Sequence, residues 1–175
     1  MKTTGIVRRI DELGRVVIPK EIRRTMRIKE GEEMEVSIGD EDSLVLKKYS
    51  PVKNLIKTAW EYADVLGGNA CYPCLLCDND VFIAASGKKE IYVGNRISKA
   101  LENFLRTRRS AYLRGEEAFD VCPGVPNGDL VVSPVLVGGD VVGGVVFIAD
   151  KTMSGGDNLV RMATVGAGFL AKQIE

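Results

Sequence analysis

Twelve apolar side chains are spread over every element that the first fifty residues can form, in a stretch too short to bury them. Ile6, Val7, Ile10, Val16, Val17, Ile18, Ile22, Met34, Val36, Ile38, Leu44 and Leu46 run through the whole segment. A domain of about 60 residues hides only ~60% of its unfolded surface, and shorter ones usually need a metal, a disulfide or a second chain. No cysteine precedes Cys71 and the chain has no histidine, so the segment is expected to complete its core against a second copy, as an obligate dimer.

Local signals give this segment the order β, β, α, β, β. A β-rich run over Thr4–Ile10 meets a turn at Glu12-Leu13-Gly14 and a second strand over Arg15–Ile18. Pro19 ends that strand and suits the start of a helix. Lys20–Ile28 follows, with Ile22 and Met26 on its apolar side, Lys20, Arg23, Arg24 and Arg27 on the other, and Gly31 as its stop. Strands over Met34–Ile38 and Ser43–Lys48 then flank a Gly39–Asp42 turn.

Formal net charge is zero, yet the charges are segregated. Residues 1–29 carry nine basic and three acidic side chains, and residues 30–46 carry seven acidic and no basic ones. A structured basic segment is an electrostatic footprint for a polyanion, with nucleic acid the commonest partner.

The run Thr4-Gly-Ile-Val-Arg-Arg-Ile-Asp-Glu-Leu-Gly-Arg-Val-Val-Ile-Pro-Lys-Glu-Ile-Arg-Arg-Thr25, continued by Leu46-Lys-Lys-Tyr49, resembles the AbrB-type transition-state regulators of spore-forming bacteria. The layout of the whole chain is similar to members that append a C-terminal GAF-like domain. The resemblance implies an α+β protein. Residues 1–50 would form a swapped-hairpin β-barrel from two chains and bind double-stranded DNA, and residues 51–175 would form a GAF-like regulatory domain with flanking helices. The implied DNA contacts fall on Arg8, Arg9, Arg15, Arg23 and Arg24, with Lys2 as a peripheral phosphate contact. A guanidinium grips phosphates or guanine edges bidentately. Arg8 and Arg9 are strand neighbours and leave opposite faces. The competing reading of Arg23 and Arg24 is surface pairing with Glu21 or the acidic stretch, which would contribute little. Glu32, Glu33 and Glu35 are expected to face away from DNA. No helix is long enough to act as an ordinary major-groove reader, so recognition is expected through phosphates and DNA shape, with a preference for A·T-rich sites.

Beyond Tyr49-Ser50-Pro51, Leu55, Ile56, Ala59, Trp60, Ala63 and Leu66 form a helical apolar stripe. Strands are expected near Cys74–Asp78 and Val81–Ser86, a helix near Gly94–Thr107, a strand pair over 131–149 and a last helix from Ser154, with Ser154 and Asp157 as a capping box. Asp140 is the only charge in residues 130–149. That stretch is nevertheless read as two strands around Gly138-Gly139-Asp140 and not as a membrane span. The last helix, apolar over a broad face with Gly166, Ala167 and Gly168 allowing close approach, is expected to bundle with the Trp60 helix and with a partner's copies, giving a homodimer or homotetramer. The GAF-like domain would take an unidentified small-molecule effector, with Gly87-Lys88-Lys89 and the Cys122–Asp129 loop as possible walls. Neither segment has a phosphate-cradling glycine pattern.

Cys71, Cys74 and Cys77 have a Cys-x-x-Cys-x-x-Cys spacing that superficially resembles iron–sulfur ligand runs, and Cys122 precedes Pro123. Residues three apart on a strand point to opposite faces, which favours free thiols over a cluster, so no cofactor and no metal are expected. Without histidine the Ser-His-Asp triad, the Cys-His pair and the imidazole proton shuttle are all excluded, and an enzyme ranks last. No apolar stretch of secretory length follows Met1-Lys2-Thr3, so the cytoplasm is the expected location. The leading function is a DNA-binding transcriptional regulator, implied by the resemblance to act on sporulation genes. The alternative is a ligand or redox sensor, or an antitoxin-like interaction module, with DNA binding secondary.

Overall fold

The computed structural model describes residues 5–40, 43–52 and 56–174. The chain splits into two compact units, Met1–Tyr49 and Ser50–Glu175.

In the first unit, helix α1 (Lys20–Met26) is followed by strands β1 (Met34–Ile38) and β2 (Leu44–Lys48), paired antiparallel with Val36 opposite Leu46. The helix ends earlier than expected, and not at Gly31. Arg27 adopts the left-handed conformation (φ 54°); its N–H donates to the Arg24 carbonyl and the Ile28 N–H donates to that of Arg23. This is the paired-bond ending that usually recruits glycine. Residues 5–10 and 15–18 form no strands within the single chain, because a strand needs a ladder partner and one chain supplies none there. Their intervening turn is nonetheless built. Asp11 Oδ1 accepts the N–H groups of Leu13 (3.0 Å) and Arg15 (2.8 Å), and Gly14 takes a positive φ. Among the described residues of this unit only Pro19 is buried, while Val7 is 86% and Ile38 85% exposed.

The second unit is an antiparallel five-stranded sheet in the order β4-β3-β7-β6-β5. Helix α2 (Ile56–Ala70) leads into β3 (Cys74–Cys77) and β4 (Phe82–Ala85); α3 (Lys89–Tyr92) and α4 (Lys99–Leu105) precede β5 (Ala111–Leu113), and β6 (Leu130–Val137), β7 (Asp140–Ile148) and α5 (Gly156–Ile174) complete it. The helix expected near 94–107 begins later, as α4 at Lys99, and the short α3 lies before the expected range. Gly94 turns with φ 82°, Val93 and Arg96 bridge to Phe82 and Val81, and Ser98 caps α4 by accepting the Leu101 N–H at 3.1 Å. The β6–β7 hairpin closes on Gly138 and Gly139, both at positive φ, as a two-residue turn demands. Pro134 lies in β6 beyond the reach of β5, which pairs only with residues 130–132. The Ser154–Asp157 capping box does not form: α5 starts at Gly156, and the Ser154 N–H donates to the Tyr72 hydroxyl.

Both sheet faces are buried. Helices α2 and α5 cover one through Ala59, Ala63, Leu159, Ala163, Ala167 and Leu170 against Cys74, Leu76, Val131, Val145 and Phe147. Helices α3 and α4 with the 118–125 loop cover the other through Tyr92, Leu101, Leu105 and Val121 against Leu75, Phe82, Val146 and Ile148. Two-sided burial explains why 131–149 reads as an almost unbroken apolar run. No described helix is long and apolar enough to cross a membrane.

Candidate nucleic-acid interface

Helix α1 gathers the basic side chains. Lys20, Arg23, Arg24, Arg27, Ile28 and Lys29 line one shallow concavity of about 290 Å³. Arg23 and Arg24 are exposed, and among the described residues no carboxylate forms an ion pair with either. Lys20, Arg27 and Lys29 join the two arginines in this concavity, although the resemblance points to none of the three. Their signal was the helical spacing of Lys20, Arg23, Arg24 and Arg27, completed by the left-handed Arg27 that folds Lys29 back to the same hollow.

The acidic stretch holds this corner together. Glu32 Oε2 accepts the Lys29 N–H at 2.7 Å, and Glu32 Oε1 lies 3.1 Å from Lys48 Nζ, which also donates to the Arg27 carbonyl at 2.9 Å. Glu32 is half-buried rather than simply turned outward, so part of the acidic segment positions the basic one. The Lys48 contact spans 21 residues of sequence and has no local signature.

Arg15 sits at the 11–15 turn, where its Nε donates to Asp11 Oδ2 at 2.8 Å. The Arg15 N–H and guanidinium, with the Leu13 N–H, hold the exposed Asp11 carboxyl below its usual range. Arg8 and Arg9 are exposed on segment 5–10, which forms no strand, and they do not line the α1 concavity. Lys2 lies outside the described residues.

In the second unit the expected pocket walls have other duties. Lys88 pairs with Asp150; Lys89 lies 3.7 Å from Asp64 Oδ2 and 4.9 Å from the Trp60 ring centre. In the 122–129 loop Asn127 accepts the Val121 N–H at 2.9 Å and donates to the Phe119 carbonyl at 3.1 Å. A separate concavity of about 850 Å³ opens between β5, Arg114, Glu117 and the start of α5. Behind it Asp129, 6% exposed, accepts the Tyr112 hydroxyl (2.7 Å) and the Met153 N–H (2.9 Å) on Oδ2. These two bonds, the tyrosine's first, hold its carboxyl below the usual range. A lowered folded-state value means stability that is fully present above the ordinary carboxylate pKa and is lost as pH falls through the folded value. Asp129→Asn is expected to cost about 1.5–3 kcal/mol at neutral pH and to flatten the acid limb of a stability-versus-pH curve, read by urea unfolding.

The cysteines diverge as strand geometry requires. Cys74 packs among the α2 and α5 side chains, Cys77 faces α4, and Cys71 is exposed at the end of α2. Burial pushes the thiols of Cys74, Cys77 and Cys122 up, which keeps them protonated and poor ligands.

The family described as Stage V sporulation protein T C-terminal, transcription factor, matches residues 54–175. Stage V sporulation protein T of Bacillus subtilis (strain 168) is 44% identical over 179 residues, covering 100% of this chain and 99% of that protein. The chain belongs to the stage V sporulation protein T family. Residues 7–54 also match the family described as Antidote-toxin recognition MazE, bacterial antitoxin. Transition state regulatory protein AbrB of the same organism is 59% identical over 51 residues, 29% of this chain and 52% of that protein. The second unit is similar in fold to the GAF domain of Acinetobacter phosphoenolpyruvate-protein phosphotransferase (TM-score 0.60, 14% identity, 71% of this chain and 87% of that one). The cofactor-binding GAF domain of the nutrient sensor CodY from Clostridium difficile is also similar (TM-score 0.52, 13% identity, 89% and 94%). Stage V sporulation protein T family members are transcription factors, and this chain joins an AbrB-like unit to a GAF-like one.

Proposed function

We propose that the chain regulates sporulation genes by binding double-stranded DNA through its first unit, as a homodimer or homotetramer in the cytoplasm. Residues 1–50 are the DNA-binding and dimerisation domain in this reading, and residues 51–175 the regulatory one. One observation carries it most directly: the first unit buries almost none of its apolar side chains alone, yet it gathers on α1 the guanidiniums of Arg23 and Arg24, which no carboxylate among the described residues pairs. A second chain exchanging its 5–18 hairpin would bury Val7, Ile10, Val16 and Val17 and double the basic surface. Arg23 and Arg24 would contact phosphates together with Lys20 and Arg27; Arg8, Arg9 and Arg15 would extend the contact, with Arg15 exchanging Asp11 for a phosphate. Val65, Val165 and Phe169, exposed on α2 and α5, would be covered by the same helices of another copy. A small-molecule effector bound to the GAF-like unit would bias DNA binding, and the concavity beside β5 has a volume suited to one.

Titration of the full chain on an A·T-rich duplex tests this. The logarithm of affinity should fall linearly with the logarithm of salt concentration, by about 0.9 per phosphate contact. A chain that binds no duplex even at low salt would favour the second reading, an antitoxin-like interaction module, to which the MazE-type match at residues 7–54 gives support.

A further inference from the structure

The GAF-like unit has a charge segregation of its own. Residues 96–109 hold Arg96, Lys99, Arg106, Arg108 and Arg109 against one acid, Glu102, whereas the rest of residues 50–175 has eight basic and thirteen acidic side chains. The cations follow α4 and its exit. Lys99 Nζ donates to Glu102 Oε2 at 2.8 Å and Arg106 Nη2 donates to Oε1 at 3.0 Å, so one carboxylate orients two cations and leaves a net positive charge. Glu102 is recessed at 12% side-chain exposure, while Lys99 and Arg106 are 66% and 55% exposed. Thr107 Oγ1 donates to the Phe104 carbonyl and the Arg108 N–H to that of Leu105, closing the helix end. Arg108 then turns with φ 59°, its acid neighbour Asp140 being 3.8 Å away and 89% exposed. Arg109 is exposed beside it.

Helix-dipole stabilisation accounts for Arg106, at the C-cap of α4, but not for Lys99 in the first turn, where a cation is unfavourable, nor for the two arginines further on. We infer that this ridge is a second contact for the phosphate backbone of double-stranded DNA. The inference rests on the reading of the first unit as DNA-binding. Exposed cations spread along α4 and its exit suit an extended polyanion better than a small anion. A weak contact suffices, because tethering to a DNA-binding unit raises the local concentration of duplex.

The test uses the full chain and an A·T-rich duplex of about 40 base pairs across a salt series. Arg108→Gln with Arg109→Gln should lower affinity about tenfold near 0.1 M salt and shallow the salt slope by about 0.9 for each phosphate no longer neutralised. Arg108→Lys with Arg109→Lys should restore both. Lys151→Gln with Arg161→Gln removes the same charge from exposed positions elsewhere and should leave the slope unchanged. Thermal unfolding checks that each variant is folded, and Arg109→Gln alone replaces the double variant if that one is not. A wild-type slope in the Arg108/Arg109 variant, or an equal loss in the Lys151/Arg161 control, overturns the ridge while leaving the first unit's role intact. Failure of the wild type to bind any duplex removes both.

Discussion

Replacing Arg23 and Arg24 together by alanine is expected to weaken duplex binding by about a hundredfold near 0.1 M salt and to shallow the salt slope, while thermal unfolding stays where it was. The fold should tolerate the change because what these residues give the helix end is backbone. Their carbonyls accept the N–H groups of Arg27 and Ile28 whatever the side chain. Alanine is the best helix former, and no ion pair to either arginine is present to lose among the described residues. Two chains would forfeit four guanidiniums at once, which is why the effect on binding is large. Titration by fluorescence anisotropy at several salt concentrations reads it. A variant that binds with wild-type affinity and slope would remove α1 from the interface and leave Arg8, Arg9 and Arg15 as the contacts.

Gly143→Ala should destabilise the second unit by about 3 kcal/mol, a fall of roughly 10 °C in its unfolding midpoint. Gly143 lies in β7, between β3 and β6. A methyl group there would fall 2.2 Å from the Cys77 carbonyl oxygen and 3.2 Å from a Val52 methyl. The first obstacle is backbone of the neighbouring strand, so relief requires β3 to move. Gly144→Ala is the informative contrast, since its methyl would meet the tip of Leu105 at 2.7 Å, and a leucine terminus can rotate away. That variant should cost only about 1 kcal/mol. Calorimetry on both would check the difference, and equal losses would mean that β3 is less constrained than its pairing with β7 indicates.

Much of the fold was legible because its signals are local and redundant. The valine-rich pair over 131–149 announced itself through β-branched residues around Gly138-Gly139, and two-sided burial made the signal stronger. Strand alternation already separated Cys74 from Cys77, and packing on opposite faces of the sheet follows the same rule. The helix expected from Gly94 starts only at Lys99, because Val93 and Arg96 bridge to Phe82 and Val81 and Ser98 caps the helix, contacts that no local spacing shows. The Ser154–Asp157 box failed for a related reason: Tyr72, distant in sequence, competes for Ser154 and moves the start of α5 to Gly156.

For the candidate interface, sequence alone determined the charge segregation, the spacing of basic residues along α1 and the shortage of core in the first fifty residues. These depend only on residue identity and helical or strand period. Tertiary structure decided which cations share one surface. Arg27 in a left-handed turn, Glu32 reaching Lys29 and Lys48, and Lys48 holding the Arg27 carbonyl assemble the α1 corner, whereas Arg15 is drawn to Asp11. It also placed Asp129 beneath Tyr112 and arranged Lys99 and Arg106 around Glu102. Contacts across tens of residues, and the loop conformations that make them, are chosen by the balance of packing and hydrogen bonding over the whole fold; no local window of sequence contains that balance.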